Sequence, residues 1–138
     1  MRILLSCGIA LLFFTLGLPA QENPGDGPKV RQVLKGSVPD EKLAAKGAKV
    51  IVSQKGLEGL WKVWKLEGKA PEVDFKNEIV LVETTRGSRL SLSAKVKDGD
   101  LQVIGISTRD LGPGFRFVIG AVSREGVKTV QGKEIAQE

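Results

Sequence analysis

The chain contains no histidine and no tyrosine, and its single cysteine is Cys7, close to the N-terminus. Without histidine there is no imidazole general base, no Ser-His triad and no zinc set of the His/Cys kind. With one cysteine there is no intrachain disulfide, so stability must come from a packed core. Carboxylates, lysines and lysine-activated serines are what remains for catalysis, and no paired arrangement of them stands out. No catalytic residue, metal site or cofactor is therefore expected. Aromatic residues make up only 5% of the chain, and no groove-entering basic helix is evident. Nucleic acid is accordingly not expected as a partner, despite a sequence pI near 9.5.

Long apolar runs are confined to one place. Residues 1–20, "MRILLSCGIALLFFTLGLPA", open with Arg2, continue as an apolar stretch and end on Pro19-Ala20. A basic start, an apolar run and a small residue at the end form the pattern of a secretory signal peptide. Cleavage is expected after Ala20, giving an extracytoplasmic chain, secreted or periplasmic, with no membrane attachment. It would remove Arg2 and Cys7 together and lower the formal charge of +5 by one. Residues 21–28, "QENPGDGP", are polar and rich in Pro and Gly and read as a flexible leader. Residues 29–138 are short enough for a single domain.

Within that domain, strand-like segments dominate. "KVRQVLKGS" (29–37) and "KVIVS" (49–53) are strand candidates, and between them "VPDEKLAAKG" supports a short helical turn ending at Gly47. The strongest helix covers 54–66. Ser53 can cap it, and Leu57, Leu60, Trp61 and Trp64 fall at i, i+3, i+4 and i+7, on one face. Gly56 and Gly59 each cost up to ~1 kcal/mol relative to alanine, so the helix depends on packing that face. The two tryptophans are expected to fill the core; the alternative is a stacking platform for sugar. Asp74 in "VDF" reads as a turn residue bonding its own backbone. From 79 onward come "IVLVETT", apolar on both faces at its start, the alternating "RLSLSAKVK" and "LQVIGISTR" joined by Asp98-Gly99, then "FRFVIGAVSR" and a short "VKTVQ". The expected class is α+β: an antiparallel meander over about 79–131, extended by 29–36 and 49–53, with the helix packed on one face.

The hairpin poses a register problem. With Asp98-Gly99 as the turn, Leu92 meets Gly105, and Ile104 and Ile106 point to solvent. One extra residue near Gly105 would turn the isoleucines inward, and glycine inside a strand is a common mark of such a bulge. The repaired register would also set Arg89 opposite Arg109.

"VIVSQKGLEGLW", "PEVDF" and "GPG" occur here in an order that resembles bacterial PrcB-like proteins, accessory subunits of a surface protease complex. The resemblance runs from about Val50 to Gly132. It implies an extracytoplasmic accessory domain without catalytic activity, with a protease as partner. The sequence departs from that pattern at one place: where the family carries Gly-Gly-Tyr, this chain reads Gly87-Ser88-Arg89-Leu90.

Two arginine-flanked loops complete the reading. "TTRGSRL" places Arg86 and Arg89 around Gly87, and "STRDLGPGFRF" places Arg109, Asp110 and Arg116 around Gly112-Pro113-Gly114. Alternate turns of a meander lie at the same end, so the loops are expected to meet and gather Arg86, Arg89, Arg109 and Arg116. Arginine suits planar, bidentate recognition of carboxylate, phosphate or sulfate. The cluster then binds an anionic group of an extracytoplasmic protein or acidic polymer, or is balanced internally by Asp110 and Glu83. A secreted binding or accessory domain is the leading expectation. The alternatives are a protease inhibitor using 110–114 as a wedge, and a carboxylate-based hydrolase.

Overall fold

The computed structural model describes residues 27–135; the expected signal peptide lies outside them. Eight strands and one main helix follow in the order β1 (Arg31–Val38), a 3₁₀ turn (Glu41–Lys46), β2 (Val50–Ile51), α1 (Gln54–Val63), β3 (Glu78–Thr85), β4 (Leu90–Lys97), β5 (Asp100–Ser107), β6 (Phe115–Ser123), β7 (Thr129–Val130) and β8 (Lys133–Glu134). The class is α+β, as the sequence implies. The single meander is not formed. The strands divide into an inner sheet of order β1-β6-β3-β2 and an outer sheet of order β4-β5-β7-β8.

The reason lies in how many apolar faces each strand carries. Residues 79–82 of β3 are buried in succession, and so are residues 117–122 of β6. Strands that need cover on both faces belong at the centre of a layered domain. They pair with each other, Glu78↔Ser123 through Thr85↔Arg116. β4 and β5 alternate and have one apolar face each, so they form an outer layer instead. β1 and β2 flank the inner sheet, β1 with a register shift between Gln32 and Leu34.

The inner sheet has a core on each face. On one side α1 lays Leu57, Leu60 and Trp61 against Val80, Val82, Phe117 and Ile119. Ser53 caps the helix, its Oγ accepting from Gly56 N at 3.1 Å, and Lys65 at φ 53° ends it. Trp64 is the hub of this side. Its ring meets Phe115 edge-on at 5.1 Å and Phe117 at 5.2 Å, and its Nε1 donates to the Leu43 carbonyl at 2.8 Å. Both tryptophans are core residues, which disposes of the sugar-platform alternative. On the other side Ile79, Leu81 and Val122 pack against Ala94, Leu101 and Val130 of the outer sheet.

The β4–β5 hairpin keeps one register throughout, Lys97↔Asp100 to Leu90↔Ser107, with Leu92 opposite Gly105. The bulge expected near Gly105 is absent. The glycine serves a close approach instead: a side-chain carbon placed on it would lie 2.7 Å from Cγ of Glu83. Ile104 and Ile106 therefore stay outside, 42% and 65% exposed. Asp100 fixes β7 and β8 to the hairpin, its Oδ1 accepting from Thr129 Oγ1 at 2.7 Å and Gly132 N at 2.9 Å. The Gly132 N–H and then the Thr129 hydroxyl hold its carboxyl below the ordinary range. The end of the expected leader is also packed. A side chain on Gly27 would collide with the Ala94 carbonyl on β4, so the fold begins before residue 29.

Asp74 is the turn residue expected of it. Its Oδ1 accepts from Lys76 N, its Oδ2 from Asn77 Nδ2, and its carbonyl from Asn77 N and Glu78 N, just ahead of β3.

Candidate functional site

The two arginine-flanked loops do meet, by a route different from a meander. The β3–β6 pairing sets Arg116 beside Thr85, and the β1–β6 pairing sets it beside Ser37. The chain leaves β3 at Arg86, whose carbonyl accepts from Gly112 N at 2.9 Å. A second connection runs from Ser88 N to Asp110 Oδ1 at 3.0 Å. Thr108 completes the brace: its Oγ1 lies 3.2 Å from Ser88 Oγ and accepts from Arg89 N at 3.1 Å. The Thr108 hydroxyl, then the Ser88 hydroxyl and N–H, hold the Asp110 carboxyl well below the usual carboxylate range. Asp110 is therefore an ionised anchor between the loops rather than a counter-charge to an arginine.

Between the loops is a notch of about 140 Å³ lined by Ser37, Arg86, Ser88, Gly112, Pro113 and Arg116, with Phe115 at its edge. Of the residues expected at this end, Arg86, Arg116, Gly112 and Pro113 are brought together here. Gly114 is behind them, buried against Val38 and Pro39 at φ +69°, where it shapes the start of β6. Arg89 and Arg109 are not in the notch. The uninterrupted hairpin puts Thr108, not Arg109, opposite Arg89, and Arg116 belongs to the inner sheet while Arg89 precedes the outer one. The expected row of Arg89, Arg109 and Arg116 on a single face is thus not formed.

The internal balance expected from Asp110 and Glu83 is not formed either. Neither acid lies within 4.0 Å of a guanidinium nitrogen among the described residues. Glu83 is turned toward Gly105 and accepts from Thr84 N. Arg86 pairs with Glu41 of the 3₁₀ turn at 3.2 Å, both side chains about half exposed. Such a pair is worth only ~0–1 kcal/mol. Arg89, Arg109 and Arg116 have no carboxylate partner among the described residues. Ser37, Ser88 and Glu41 were not expected at this site. The acids of "VPDEK" were visible as a helix start, but their proximity to Arg86 depends on β1 pairing with β6, a contact across most of the domain.

A larger groove of about 620 Å³ runs beside α1, over Trp61 and Leu66, and is lined by Lys62, Lys65 and Lys69 together with Glu58 and Glu72. Its central polar side chain is already engaged, since Gln54 Nε2 donates to the Pro71 carbonyl and its Oε1 accepts from Val73 N. The lining carries charges of both signs, so it selects an anion less well than the notch. Among the described residues no group of three acidic or metal-ligating side chains could hold a metal ion, and no helix is long and apolar enough to cross a membrane.

Compared with protein-family models, with curated proteins and with solved structures, the chain matches none.

Proposed function

We propose that the chain is an extracytoplasmic, non-enzymatic binding or accessory domain that holds an anionic group of a partner in the notch between Arg86 and Arg116. The observation that carries this reading is the composition of the notch. Arg116 has no carboxylate partner among the described residues, and Arg86 has only the exposed Glu41. The hydroxyl of Ser37 stands beside them as a further donor. A carboxylate, phosphate or sulfate entering the notch meets two guanidiniums suited to planar anions. It displaces at most a weak surface pair. The resemblance to PrcB-like accessory subunits points the same way, with an extracytoplasmic protease as the partner class.

The test uses the chain as bait against the extracytoplasmic fraction of its own organism, beside an Arg86→Ala/Arg116→Ala variant. The wild-type bait should retain a partner that the variant loses, and retention should fall with added salt, because exposed charges are screened beyond ~8 Å at physiological ionic strength. Equal retention by both baits across the salt series would end the reading.

A protease-inhibitor reading has one observation in its favour. Leu111 is 76% exposed at the tip of a loop braced on either side by Asp110 and Gly112. A protease recovered active supports the accessory role. A protease recovered silent, and released from inhibition by Leu111→Ala, supports the inhibitor.

A further inference from the structure

The outer sheet is covered along one edge and open along the other. The leader's end lies against β4 at Ala94 and Lys95, and Val30 packs over Gly120. The far edge of β5 is different. In the β4–β5 ladder the two-residue turn and the Thr108 N to Arg89 O bond show that even-numbered residues of β5 bond to β4. Odd-numbered residues therefore present their N–H and C=O groups to the other side. β7 uses that side only at Asp100 and Leu101, and Gln131 reaches the Leu101 and Val103 carbonyls. From Val103 N–H through Ser107 no strand pairs with this edge among the described residues.

Residues 104–111 are all exposed. They include Ile104, Ile106 and Leu111, three of the five large apolar residues that are exposed among those described. Edge strands are normally blunted by lysine, proline, a bulge or a covering segment. Between Leu101 and Ser107 β5 has no lysine, no proline and no bulge. The neighbouring row on the same face reads Arg89, Ser91, Ser93, Lys95 and Lys97: the serines stand opposite Ile106 and Ile104, and the row is cationic at its two ends.

We infer that the open edge of β5 is a strand-addition site for an extended segment of a different protein, one that carries apolar residues followed by acidic residues at every second position, all on one face. Backbone bonding to Val103, Gly105 and Ser107 would supply affinity. Apolar side chains beside Ile104 and Ile106, about one strand spacing of ~4.8 Å away, and carboxylates further along the same face, toward the Arg89 and Arg109 end, would supply selectivity. Charge argues against a second copy as the occupant. Its own β5 has no carboxylate from Leu101 to Arg109, and it would bring a further formal charge of +5. The inference rests on the binding-domain reading above but concerns a different surface from the notch.

The experiment follows amide hydrogen exchange of the full chain while it is titrated with a synthetic peptide that carries two Val/Ile and then two Glu at every second position, with Thr at the positions between. The controls are the same composition scrambled and the same peptide with Lys in place of Glu. The amides of Val103, Gly105 and Ser107 should exchange readily in the free protein and become protected by the acidic peptide, while those of Ile104 and Ile106 are protected throughout. Ile104→Lys/Ile106→Lys should weaken binding at least about tenfold, equivalent to ~1.4 kcal/mol, with an unchanged melting temperature; Ile106→Thr is the gentler second variant. Arg86→Ala/Arg116→Ala should leave this protection intact, which separates failure of the edge from failure of the notch. Protection at other amides, no protection, or equal binding of the lysine peptide overturns the inference. So does a concentration-dependent dimer that protects the same amides, since it assigns the edge to a second copy.

Discussion

The inner sheet is covered on its two faces by layers of different construction. On the α1 side, aromatic rings interlock: Trp64 touches both Phe115 and Phe117 and ties the helix to the 3₁₀ turn through the Leu43 carbonyl. On the hairpin side the core is aliphatic, and the covering strand β5 turns Ile104 and Ile106 to solvent. The first layer spends its largest side chains on folding. The second needs only the inward half of its residues for that purpose, and its outward half is left to respond to something other than stability. The contrast separates residues that hold the fold from those available to meet a partner.

The largest expected effect tests the aromatic layer. Trp64→Ala should cost ~3–5 kcal/mol, the range for truncating a buried aromatic, against a total stability of ~5–15 kcal/mol for natural domains. Urea denaturation measures it, and a cost below ~1 kcal/mol would erase the distinction between the layers. A smaller effect belongs to the hairpin layer. Gly105→Val forces a side chain into the Glu83 stem and should cost ~1–3 kcal/mol as overpacking. If it is neutral, the hairpin stands off the inner sheet more loosely than its close approach implies. The smallest effect sharpens the picture of the loops between the layers. The Asp110 carboxyl is held low by its hydrogen bonds in the folded chain. Its contribution is therefore fully present above the ordinary carboxylate pKa of ~3.9 and is lost as pH falls toward the folded value. The gap in melting temperature between wild type and Asp110→Asn should narrow as pH drops from neutral toward 3. A constant gap would mean that the brace does not depend on the charge. Asp100, also held low, is present in both proteins and cancels.

Local features of this arrangement were legible in the sequence, and long-range ones were not. The spacing of Leu57, Leu60, Trp61 and Trp64 identified the helix and its buried face, and Asp98-Gly99 identified the hairpin turn, with both residues at positive φ. The apolar run of β3 announced a central strand. Its partner was not announced, because the pairing of β3 with β6 is decided by which strands need cover on both faces, not by adjacency in the chain. Gly105 misled for a related reason. Glycine inside a strand marks either a bulge or a close approach, and only the position of Glu83 in the neighbouring sheet distinguishes them. That one ambiguity carried the expected facing of Arg89 and Arg109 with it. At the site, the meeting of the two loops survived the change of topology because Arg86 and Arg116 follow and belong to paired strands. Glu41 could not be found in the same way, since nothing near it in the chain points toward Arg86.

The two indoles have a consequence for watching this molecule. The chain has two tryptophans and no tyrosine, and both indoles sit on the α1 side of the inner sheet. Its near-ultraviolet absorbance and intrinsic fluorescence therefore arise almost entirely from one layer. Opening of the β4–β5 layer would be optically silent, while loosening of α1 would be reported at once. Two-state behaviour judged from fluorescence alone describes only half of the structure. A backbone probe such as far-ultraviolet dichroism is needed to tell whether the layer without a chromophore unfolds at the same step.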